Sequence, residues 1–139
     1  MWIGKPGLRY VTAMFGLVAI AGEAAERQGK TATVESGAEV LVYGHKNWDK
    51  GCRPMPVPEI KITRPPATGA IALRPGTFRV DGSWHPDADQ GCKGRSFPGI
   101  GVYYKANPGS RGVDTFEYDV TLGGKRPITY GVDARITVK

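Results

Sequence analysis

The sequence is short of the residues that most often carry out catalysis. Two histidines and two cysteines occur in 139 residues. No Gly-x-Ser-x-Gly elbow, glycine-rich phosphate loop or His-Glu-x-x-His motif is present. A Ser-His-Asp triad would have to draw on His45 or His85, and no serine context singles out a nucleophile. Asp87 and Asp89 are the nearest approach to a carboxylate pair, and both read more simply as solvated loop charges. Internal repeats are lacking, as is any sustained helical period after the first two dozen residues. Although lysine and arginine outnumber the acids by 19 to 13, they are scattered. The only Lys-Arg neighbours are Lys125 and Arg126, whereas a nucleic-acid binder presents a basic stripe with stacking aromatics. These absences argue against an enzyme and against a nucleic-acid partner, and no cofactor is expected.

The chain also has only one long apolar run, Tyr10 to Ala21 (YVTAMFGLVAIA). Lys5 and Arg9 precede it, and Ala19-Ile20-Ala21 offers small residues at an A-x-A cleavage pattern, with Ala24-Ala25 as a second choice. This order of charged, apolar and small segments is that of a secretory signal. The run between Arg9 and Glu23 is shorter than the ~20 residues needed to span a bilayer as an anchor. Residues 1–21 are therefore expected to be a signal peptide (cleavage as late as 25 remains open), with 22–139 the mature domain and no stable membrane insertion after cleavage. Cutting after Ala21 removes two basic residues and no acid, which lowers the formal charge from +6 to +4. The expected location is periplasmic or secreted, where an even cysteine count favours a bridge. A Cys52–Cys92 bridge would close a loop worth about 4 kcal/mol in the chain-entropy model.

What the mature region has in quantity is alternation. Phe116, Tyr118, Val120 and Leu122 share one face of a run whose other face is Thr115, Glu117, Asp119 and Thr121. Ile128, Tyr130, Val132, Ala134, Ile136 and Val138 repeat the pattern, with Gly123-Gly124 as a turn between. A period of two is what a strand with one buried face requires. Shorter runs centre on 31–35, 38–44, 57–63, 69–74, 78–80 and 100–104, with Pro75-Gly76 read as a turn. Seven or eight short strands joined by Gly- and Pro-rich turns predict an all-β sandwich.

The segments Pro65-Pro-Ala-Thr-Gly-Ala-Ile71, Tyr104-Lys-Ala-Asn-Pro-Gly109, Gly112-Val-Asp-Thr-Phe-Glu-Tyr118 and Ile136-Thr-Val138 resemble the bacterial Ig-like and cadherin-like domains of envelope and surface proteins. The resemblance spans roughly residues 64–139. It implies an immunoglobulin-like β-sandwich of about seven strands, and a tyrosine corner in which Asp114 and Tyr118 take part, the phenol bonding back to upstream backbone. Val120 stands where an antibody domain has its second cysteine, so any bridge in this chain differs from the inter-sheet one.

Two irregular intervals, 44–56 and 81–99, each hold one cysteine. Joined, they would bring His45, Trp48, Trp84 and His85 to one edge of the sandwich. Exposed tryptophans can grip a sugar ring or a partner protein, while the plainer reading has each packing beneath its own loop. The expected function is a non-enzymatic domain that binds a protein or glycan of the cell envelope through these four residues. Two alternatives stay open. Cys52, Cys92, His45 and His85 have the donor chemistry of a zinc or copper site, and the long 81–99 insertion could plug the active site of an envelope or secreted enzyme.

Overall fold

A computed structural model describes residues 26–81 and 90–139, together with Gly4. Seven strands follow in order: β1 (Arg27–Val34), β2 (Glu39–Lys46), β3 (Glu59–Arg64), β4 (Gly69–Arg79), β5 (Ser96–Ala106), β6 (Gly112–Leu122) and β7 (Ile128–Val138). They form two sheets, one ordered β1-β7-β6-β3 and the other β2-β5-β4. Lettered A to G, the second sheet reads B-E-D and the first contains G-F-C, the strand order of the immunoglobulin fold. β1 adds to the first sheet by pairing in parallel with β7, from Arg27 opposite Gly131 to Val34 opposite Val138.

The core follows from the alternation. Phe116, Tyr118 and Val120 of β6 and Val132 and Ile136 of β7 are fully enclosed, and they meet Val102 and Tyr104 of β5 across the sandwich. Asp114 accepts hydrogen bonds from the Ala67 and Thr68 amides, each at 2.9 Å, and from the Tyr104 hydroxyl at 2.7 Å. It thereby ties the Pro65–Thr68 crossing between the sheets to the start of β6.

Three local expectations are corrected. Pro75-Gly76 is not a turn, because β4 runs through it in continuous register with β5. An edge strand tolerates this, since alternate backbone donors face away from the neighbouring strand and a missing N–H there breaks no ladder bond. The irregular intervals are narrower than the sequence suggests, because β2 continues to Lys46 and β5 already begins at Ser96. The Tyr118 phenol does not return to upstream backbone as a tyrosine corner would, and bonds instead to His45.

Candidate functional site

A bulge in β2 decides where His45 points. Leu41 pairs with Tyr103 but Tyr43 pairs with Val102, so Val42 is the extra residue and the alternation changes phase. Beyond the bulge, Tyr43 and His45 turn inward. His45 is 1% exposed, with Nε2 2.7 Å from the Tyr118 hydroxyl and Nδ1 3.2 Å from the Tyr130 hydroxyl. A neutral imidazole suits both contacts, one ring nitrogen donating and the other accepting. Burial, followed by the charges of Lys30 and Lys46, pushes the His45 pKa down to about 3. Lys30 lies 3.8 Å from the centre of the Tyr43 ring and Lys46 5.0 Å from it. The lysine pKa values are lowered, chiefly by burial, against the opposing charge of Asp81.

Trp48 is 5% exposed and stacks on Phe97 with ring centres 5.6 Å apart. With Val80 and Cys92 it makes a small second core, which Cys52 also packs against. The expected contact face therefore has to be corrected: His45 and Trp48 are interior residues, held there by the bulge and by the second core. Trp84 and His85 lie outside the described residues, as do Asp87, Asp89 and the rest of segment 1–25 apart from Gly4.

Cys52 and Cys92 form a disulfide, with Cα atoms 5.4 Å apart. Bonded to each other, the sulfurs offer no thiolates for the alternative metal site, and no His/Cys/Asp/Glu group suited to a metal ion occurs among the described residues. A buried bridge of this kind belongs to an oxidising, extracytoplasmic location. Among the described residues no helix is long and apolar enough to cross a membrane.

The same bridge helps build a concave site. The β2–β3 loop and the β6–β7 hairpin enclose a cleft of about 270 Å³, lined by Asn47, Trp48, Asp49, Lys50, Met55, Leu122, Gly123, Gly124, Lys125, Arg126 and Ile128. Its two walls are joined. The Asn47 side-chain amide donates to the Gly123 carbonyl at 3.0 Å, and the Asn47 carbonyl accepts from the Met55 amide at 3.1 Å. Glycine is required at 124, where φ is 144° and a Cβ would come within 2.9 Å of the Met55 side chain.

The charges of the cleft are unequal. Asp49 accepts from the Gly51 and Arg53 amides and from Arg53 Nε, each at 2.9 Å. The Arg53 amide first among these contacts outweighs the effect of desolvation and holds the Asp49 pKa below its usual value. Lys50, Lys125 and Arg126 have no ion-pair partner among the described residues. The cleft is thus cationic at its rim, with Leu122, Ile128, Met55 and the buried Trp48 supplying apolar surface. In the immunoglobulin fold the B–C and F–G loops occupy one end and carry antigen contacts in variable domains; the corresponding loops form this cleft.

Sequence reasoning identified the loop and the bridge but missed Asn47, Lys50 and Met55, and discounted Lys125 and Arg126. A usable signal was present, since the single Lys-Arg pair directly follows the Gly123-Gly124 turn that displays it. Compared with known proteins, the chain matches no family model, no curated protein and no solved structure.

Proposed function

We propose that this chain is an exported, non-enzymatic domain of the bacterial Ig-like kind, periplasmic or secreted, that binds a protein or glycan of the cell envelope in the cleft between the β2–β3 loop and the β6–β7 hairpin. The observation that carries this reading is the cleft itself, a concave surface with apolar and cationic parts at the disulfide-pinned end of a rigid sandwich. Loops on a rigid scaffold are the usual seat of binding, and a concave site with a few polar groups is the usual shape of one. His45 takes no part in the proposed site, since its two nitrogens are engaged by tyrosine hydroxyls in the interior.

The test is capture from envelope fractions by the immobilised, oxidised domain. Charge reversal at Lys125 and Arg126 (K125E/R126E) should abolish capture while melting temperature and circular dichroism stay at parent values, because both side chains are exposed. Capture that survives the double substitution would remove the cleft as the binding site.

A further inference from the structure

The geometry points to an acidic glycan as the ligand of the cleft: a sugar polymer carrying carboxylate or phosphate groups, held one anionic unit at a time. This rests on the reading of the cleft as the binding site and names the chemistry that the site selects.

Among the described residues three cations line one small cleft, and the one carboxylate there, Asp49, is already occupied by Arg53 and two backbone amides of its own turn. An anion entering there meets Lys50, Lys125 and Arg126, none of which has an ion-pair partner among the described residues. The Arg126 guanidinium can engage two oxygens of one carboxylate or phosphate, while the lysines act as point charges. Size comes next. About 270 Å³ falls just below the ~300–1,000 Å³ of sites for drug-sized ligands, which suits one ring-sized unit. The walls also match a sugar, because the half-buried Ile128 and Met55 present hydrocarbon to the C–H face of a ring while the rim is polar. Finally, the site is preformed. The Cys52–Cys92 bridge, the Asn47–Gly123 bond and the turn held by Asp49 fix both walls, which lowers the ordering cost of binding a weakly interacting unit. A chain with excess positive charge further favours a polyanion over a neutral polymer.

The experiment is isothermal titration of the oxidised domain at low salt with three probes of equal length: a uronic-acid oligosaccharide, a sugar-phosphate oligomer and a neutral oligosaccharide. Binding of one or both anionic probes and not the neutral one is expected, and which anionic probe binds identifies the source of the charge. K125A/R126A should weaken that binding by at least about tenfold, as loss of two charge-assisted contacts implies. Arg111→Ala should leave it unchanged, since Arg111 precedes β6 at the end opposite the hairpin. Equal binding of the neutral probe overturns the inference. So does failure of all three probes; if an envelope protein is then captured and lost on K125E/R126E, the acidic-glycan inference alone falls. If no ligand of any class responds to the cleft substitutions, the binding site proposed above falls with it.

Discussion

Single residues in this domain carry unusual polar duties, and they make its stability depend on pH. His45 is neutral in the fold with a pKa near 3, against about 6.5 in an unfolded chain. The unfolded state therefore binds the extra proton first, and stability is complete above about pH 6.5 and declines as pH falls towards 3, by an amount on the order of a few kcal/mol. Asp114 has the same sign in a lower window. Desolvation alone would raise its pKa, but the Tyr104 hydroxyl and the Ala67 and Thr68 amides hold it below the usual range. Its contribution is complete above about pH 3.9 and is lost as pH drops further. Denaturation midpoints measured from pH 7 to 4 should fall steadily in the parent and stay nearly flat in His45→Phe, even though that variant is weaker throughout because two tyrosine hydroxyls lose a partner. A parallel slope in both proteins would show that His45 does not set the dependence.

At the scale of elements, the loops and edges decide what the sandwich can do. The bridge ties the β2–β3 loop to the β4–β5 connection, so Cys52→Ser should cost about 3–4 kcal/mol and expose both segments to protease. If Cys52→Ser melts like the parent under oxidising conditions, the bridge contributes nothing. Asn47 joins the cleft walls, and Asn47→Ala should destabilise by about 1–3 kcal/mol through the orphaned Gly123 carbonyl and loosened loop; urea unfolding of the variant measures it. On the opposite kind of element, the long edge strand β4 contains an uncharged stretch, Gly69 to Leu73, ahead of Arg74 and Pro75. Pro75 removes an outward donor and so discourages pairing with another chain. Pro75→Val should raise self-association, seen by light scattering, with little loss of stability.

Elements were also where the sequence was most and least legible. β6 and β7 could be read almost residue by residue, because one face of each is buried and the other wet. β1 was faint since its inward positions are Gln28, Lys30, Ala32 and Val34, of which only two are apolar. His45 was misread as a loop residue because the bulge at Val42 shifts the phase of β2, and a shift of one residue leaves no mark in composition. Trp48 was harder still, because whether a loop tryptophan is covered depends on Phe97 and Cys92, some 45 residues downstream. The cleft joins two loops about 75 residues apart, and no local pattern announces such a pairing.

For the whole molecule, the features converge on one end. The bridge, the second small core and the cationic cleft all lie at the end of the sandwich that carries the β2–β3 loop, while the exposed sheet faces carry paired charges such as Arg27–Asp133 and Arg74–Glu39. Charges neutralised in pairs contribute little to attraction of an anionic polymer, so binding should depend on the cleft cations and weaken steeply with salt. The most direct measurement is an amide-resolved NMR titration of the oxidised domain with the uronic-acid and sugar-phosphate oligomers. The perturbed amides should fall in 47–55 and 122–128, and the perturbations should vanish at high salt. Perturbations confined to a sheet face, or to the 107–111 turn at the far end, would contradict it.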